Sequence, residues 1–250
     1  MFATYLNAVR GFGRNARLYL LTLTLATLII DGVYAVIFNL YLLRLGYDPV
    51  LVGRINAAGL ITFAAACLPA AELGRRWGSR RALLAGLWLV LAGSLAVPAA
   101  GLIAPAAQTS WLYVSYVTLL LGYAFFFVNG APFLMASTTA AQRDHAFAVQ
   151  TALFSLAALT GGLIGGLLPQ FAANVSGVST AEPFPYRLPL LLAGLLLLPG
   201  ILAILATRQD RPPARPRSRI KPLVRLTQLD RRYVALLLAV ALVRLLQVAG

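Results

Sequence analysis

Six times along this chain an apolar run continues for about twenty residues or more with almost no charge in it, long enough to cross ~30 Å of hydrocarbon as a helix. The runs lie near 18–43, 50–73, 82–104, 111–136, 146–171 and 187–206, and a seventh starts near 233. No other feature constrains the fold as strongly. A soluble domain carries roughly 25% charged residues, whereas this chain of 250 residues has 11% charged and 60% hydrophobic. The same figures exclude disorder and collagen-like repeats. The expected class is therefore all-α, a polytopic helical membrane protein. Turn and loop residues punctuate the runs at Gly46-Tyr47-Asp48-Pro49, Gly74–Arg81, Pro105–Ser110, Thr138–His145 and Ala172–Pro185.

The formal net charge is +14, from 21 Lys+Arg against 7 Asp+Glu. Because the basic residues lie between the apolar runs, they read as topology-setting loop charge and no nucleic-acid partner is expected. With the N-terminus on the cytoplasmic side, the inner segments collect Arg10, Arg14 and Arg17, then Arg75, Arg76, Arg80 and Arg81, then Arg143. The long segment after the sixth span adds nine more between Arg208 and Arg232. Only Arg44, Arg54 and Arg187 fall outside, and Arg244 lies within the last run. The positive-inside rule thus predicts a plasma (inner) membrane protein with a cytoplasmic N-terminus. The single cysteine, Cys67, sits inside an apolar run and forms no intrachain disulfide.

The organisation read from these runs is a six-helix transmembrane bundle over 1–207, a basic Arg- and Pro-rich linker over 208–232, and a further span over 233–250. Six spans, a long cytoplasmic linker and a new span form the pattern of transporters built from two six-helix repeats. About 18 residues of the seventh span would reach roughly 27 Å at 1.5 Å per residue, so the chain reads as cut short, with a C-terminal half expected as its missing partner.

The loop joining spans two and three is Ala71-Glu72-Leu73-Gly74-Arg75-Arg76-Trp77-Gly78-Ser79-Arg80-Arg81. It resembles the G-x-x-x-D-R-x-G-R-R loop of the major facilitator superfamily, with Arg76, Gly78 and Arg80 matching and Arg81 continuing the basic run. Ala71 stands at the first Gly of that pattern and Arg75 at its Asp, leaving Glu72 as the nearby acid. The stretches Asn39–Tyr47 and Pro132–Met135 resemble the ends of the first and fourth helices of the same superfamily. A helix-four pattern, R-x-x-Q-G, aligns with Gly130 and puts Phe126 at its Arg and Asn129 at its Gln. Gly161-Gly162-Leu163-Ile164-Gly165-Gly166 is similar to the family's G-P-x-x-G-G in helix five, and small residues four apart also suit close helix packing. The resemblance covers essentially the whole chain. It implies a six-helix bundle of that superfamily plus an incomplete seventh span, acting as a secondary carrier that moves a small-molecule solute across the lipid bilayer by alternating access.

In the gate loop, Gly78 suits a turn with positive φ. Glu72, Arg75, Arg76, Arg80, Arg81 and Asp144 are the charged candidates, the arginines bonding carboxylates or helix C-terminal carbonyls. Within the membrane, Asp31 is the most informative residue. It lies about 13 residues into the first span, where an acid costs ~2.5–3.5 kcal/mol on insertion scales. Regular helical periodicity puts Tyr34 and Asn39 on its face, a candidate cavity wall. Aligning Arg17-Leu18-Tyr19 with Arg231-Arg232-Tyr233 brings Arg244 to the depth of Asp31, as an ion pair, a substrate clamp or two independently bonded charges. Arg54, Tyr123, Asn129 and Gln150 complete the candidate solute or ion cavity. Tyr116, Tyr123, Phe127 and Gly130 form a stripe on span four that suits either packing or ligand contact. Span six has no polar side chain between Leu190 and Ala206 and is expected to face lipid.

Convergent titratable groups of the kind an active site requires are absent from the sequence; neither an enzyme, a metal site nor a cofactor is expected. Protons are a candidate coupling ion through Asp31. The alternative reading is a complete seven-span receptor-like or assembly protein without transport activity.

Overall fold

A computed structural model describes residues 11–207. The expected linker 208–232, the seventh span 233–250 and Arg244 lie outside the described residues. Among those described, the chain is helical throughout with no strand. Six helices are long and apolar enough to cross a membrane: α1 Arg14–Arg44, α2 Pro49–Trp77, α3 Ser79–Leu102, α4 Pro105–Ala136, α5 Ala140–Ser176 and α6 Phe184–Leu205. The protein is an integral multi-pass membrane protein. Most helices run a few residues past the apolar runs, because hydrogen-bonded turns continue where the side chains become polar.

Local chemistry sets the ends. Gly46 takes φ 90° in the α1–α2 turn, and Asp48 caps α2 by accepting from the Leu51 N–H at 2.9 Å, with Pro49 in the first helical position. Gly78 turns the chain between α2 and α3 at φ 90°, and Gly177 ends α5 at φ 69°. Both conformations are open to glycine at little cost.

Without water to squeeze out between helices, packing in a bilayer relies on close backbone approach at small residues. The α3–α4 contact is the most extensive. A Cβ on Gly86 would lie 2.7 Å from the Gly122 carbonyl oxygen, and one on Gly122 2.6 Å from that of Gly86, so neither position tolerates a side chain without displacement. A second crossing joins α1 to α5, where Gly32 faces Gly161 with backbone against backbone. At this crossing α1 is wound as a wider π-helical turn, Leu28–Tyr34.

The sixth helix does not merely face lipid. Its Leu190, Leu197, Ile201 and Ile204 are buried. Gly194 abuts Ser94 of α3, and the Gly200 carbonyl accepts from Thr22 Oγ1 of α1 at 2.9 Å. The apolar character of span six could not distinguish lipid from a neighbouring helix, because both are equally apolar partners. Of the six helices, α1 is the most enclosed, and α2 and α5 are the least.

Candidate functional site

Halfway along the bundle, α1, α2 and α4 line an open-sided cavity of about 270 Å³. The α1 wall presents Asp31, Ala35 and Asn39, spaced four residues apart on one helical face. On the α4 wall stand Tyr116 and Tyr123, two turns apart and therefore about 10 Å along the axis. The α2 wall contributes Asn56, Leu60 and Phe63.

Two polar foci result. At the first, the Tyr123 hydroxyl donates to Asp31 Oδ2. At the second, Asn56 Nδ2 donates to Asn39 Oδ1 at 2.9 Å and to the Val52 carbonyl at 2.9 Å, and its Oδ1 accepts from the Tyr116 hydroxyl at 3.2 Å. Aromatic rings fill the space between. Phe38 stacks on Tyr116 with centroids 4.2 Å apart and planes 6° from parallel. Phe63 lies 5.8 Å from Tyr123, tilted by 39°, and edge-on to Phe127 at 5.9 Å.

Asp31, Tyr34, Asn39 and Tyr123 of the sequence candidates line this cavity. The Tyr34 hydroxyl, however, donates to the carbonyl oxygen of Ser94 in α3 and also lies 3.4 Å from that of Leu190 in α6. The wider winding of Leu28–Tyr34 explains the difference. Each residue advances less around a π turn than around an α turn, so Tyr34 is carried away from the Asp31 face and onto α3.

The other candidates lie elsewhere. Arg54 is exposed and, about 160° around α2 from Asn56 at 3.6 residues per turn, is absent from the lining. Asn129, six residues past Tyr123, is rotated about 120° from it by the same count and bridges helices, donating to the carbonyls of Ala70 at 3.1 Å and Phe125 at 2.9 Å. Its Oδ1 fills the space over Gly74 of α2. Gln150 is half-buried on α5, its Oε1 without a hydrogen-bond partner among the described residues.

Asn56 was missed by the sequence reading. The available signal was its position: Asn39 and Asn56 flank the α1–α2 turn at similar distances, so an antiparallel hairpin brings them to one depth. A polar amide at that depth needs a partner.

At the basic end of the bundle, the loop candidates divide their work. Glu72 accepts from Arg75 and Arg76, three and four residues along α2. Arg80 reaches the end of α6, donating to the carbonyls of Leu205 at 2.8 Å and Ile204 at 3.3 Å and to Thr207 Oγ1 at 3.0 Å. A guanidinium there satisfies orphan carbonyls and sits at the negative end of the helix dipole. Both bonding modes read from the sequence therefore occur. Asp144 is exposed and makes no ion pair with the loop arginines among the described residues, since Glu72 is nearer to them on their own helix. Arg81 is exposed as well.

A family model described as Major Facilitator Superfamily matches residues 20–249. No curated protein matches the chain.

Proposed function

From the premise that this chain belongs to the Major Facilitator Superfamily, and so is a membrane transporter protein, we propose that it moves a small solute by alternating access. In that mechanism two six-helix bundles rock about a site near the bilayer midplane. The observation that carries the proposal is Asp31, an acid midway along α1, held by Tyr123 and facing a cavity. An intramembrane acid is costly, and a chain that keeps one in a cavity wall uses it for a solute or an ion.

The described bundle supplies one half of such a machine. Its two least enclosed helices, α2 and α5, carry Leu60, Ile61, Leu68, Leu159, Leu163 and Leu167 on exposed faces, which suit a second bundle as well as lipid. The loop arginines favour placing the Gly78 end of the bundle in the cytoplasm of a plasma membrane. Proton coupling through Asp31 fits the same geometry.

The test is solute flux in proteoliposomes carrying the protein expressed from its natural gene. Asp31→Asn and Tyr123→Phe should reduce flux while the elution profile stays that of folded protein. A variant pair that transports like the wild type would remove this cavity from the mechanism. Flux that ignored both a pH gradient and Asp31→Asn would exclude proton coupling at this residue.

A further inference from the structure

The class of solute can be read from the same cavity, an inference that rests on its being the solute site. Asp31 is the one ionisable acid in the lining among the described residues, and no Lys, Arg or His joins it there. The carboxylate receives a hydrogen bond from Tyr123. It has about four lone-pair sites in all, more than the Tyr123 hydroxyl and a backbone hydrogen bond take up, and the residue lines the cavity. An ionised carboxylate at this depth requires a positive or strongly donating partner.

The remaining wall is apolar, shared between aromatic rings and the aliphatic side chains of Ile30, Leu60, Leu119 and Leu120. Phe38, Phe63, Tyr116 and Tyr123 lie between the two polar foci. Aromatic faces carry negative quadrupole charge, so they attract cations and repel anions. A polyhydroxylated solute finds few partners, because at the second focus the Asn56 amide is committed and only the Asn39 Nδ2 donors stay free. Asn56 spends its donors on Asn39 and Val52 and receives Tyr116. An anion finds no counter-charge on these walls. We propose that the cavity takes a monovalent organic cation with a flat apolar body, its charge at the Asp31 carboxylate and its body against the rings of Phe63, Tyr116 and Tyr123.

Tritiated 1-methyl-4-phenylpyridinium is the probe, measured by equilibrium binding to the detergent-solubilised protein expressed from its natural gene. Two molecules of the same shape serve as competitors, neutral 4-methylbiphenyl and anionic biphenyl-4-carboxylate. Saturable binding is expected, with both competitors weaker than unlabelled probe by at least about tenfold, the size that a desolvated cation–π contact alone supplies. Asp31→Asn should lose at least about tenfold in affinity while Asp31→Glu, which keeps the charge, holds within about threefold. Competitors as strong as the probe, the absence of saturable binding, or full affinity in folded Asp31→Asn would overturn the assignment. If Asp31→Asn does not fold, the competitor series and Asp31→Glu decide it. Flux is read separately in proteoliposomes. Cation binding without flux of any solute counts against transport and not against the class. Flux of an uncharged solute that ignores Asp31 counts against the class and not against transport.

Discussion

Alanine placed at each glycine of the Gly161–Gly166 stretch in turn separates tight helix crossing from simple helix propensity. A Cβ on Gly161 would overlap the Leu28 carbonyl oxygen and lie 3.0 Å from Gly32 Cα, and one on Gly165 would lie 3.0 Å from Val33 Cα. On Gly162 the sole neighbour would be Val36 Cγ2 at 4.0 Å, and Gly166 has open space. Carbon atoms rest about 3.5–4.0 Å apart, so Gly161→Ala forces α1 and α5 to separate by roughly 1 Å at this level. A gap of that size forfeits a quarter to a half of each dispersion contact across it. Overpacking of this kind costs about 1–3 kcal/mol. Gly166→Ala meets no clash and removes a flexible residue from a helix interior, a gain of roughly 0.5–1 kcal/mol.

The assay is reversible unfolding by SDS titration in mixed micelles, comparing the four single variants with the wild type. Gly161→Ala should be strongly destabilised, Gly165→Ala less so, and Gly162→Ala and Gly166→Ala neutral to stabilised. The order refutes the reasoning if Gly161→Ala tracks Gly166→Ala, because α5 would then not cross α1 through that glycine. A second readout sharpens the result. Leu28 opens the π turn that carries Asp31, so probe binding should fall in Gly161→Ala and stay unchanged in Gly166→Ala.

Tyr34→Phe removes the hydroxyl that reaches Ser94 and Leu190; it should lower unfolding free energy by about 0.5–1.5 kcal/mol, while the KM for transport stays at the wild-type value. Arg80→Ala strips the cap from α6 and should cost about 1 kcal/mol in the same titration, less than the ~1.5–3 kcal/mol of a buried charged hydrogen bond because the side chain is part-exposed; Arg81→Ala, an exposed neighbour, should cost no more than ~0.5 kcal/mol.

The span count was legible because hydrocarbon thickness fixes the length of an apolar run, and no packing detail enters that inference. The break at Gly46–Pro49 and the turn at Gly78 were legible for a similar reason, being local. What the sequence could not reveal is which face of each helix meets which neighbour. Gly161 and Gly162 are adjacent and chemically identical, yet only the first meets α1 backbone closely. Asn129 and Tyr123 both looked like cavity groups on α4, and rotation about the helix axis alone sends Asn129 into the α2 contact. Span six looked lipid-facing because hydropathy is blind to the difference between a lipid tail and a leucine. Tyr34 does line the cavity, but where its hydroxyl goes was not legible, because regular periodicity was assumed across a turn that is not regular.

That irregular turn links the packing to the site. Gly32 lies against Gly161 on one side of α1, and the adjacent Asp31 points to Tyr123 on another. Regular α winding would leave the Tyr34 phenol beside the carboxylate, three residues on and within its reach. The wider turn sends that hydroxyl to the Ser94 carbonyl, where it ties α1 to α3, while Ala35 stays on the Asp31 face. The carboxylate therefore keeps one side-chain hydroxyl, that of Tyr123. π turns recur at functional sites because they re-aim side chains without breaking a helix. Here the consequence is specific: Asp31 and Ala35 share one cavity with Tyr123, while the Tyr34 hydroxyl is turned toward α3.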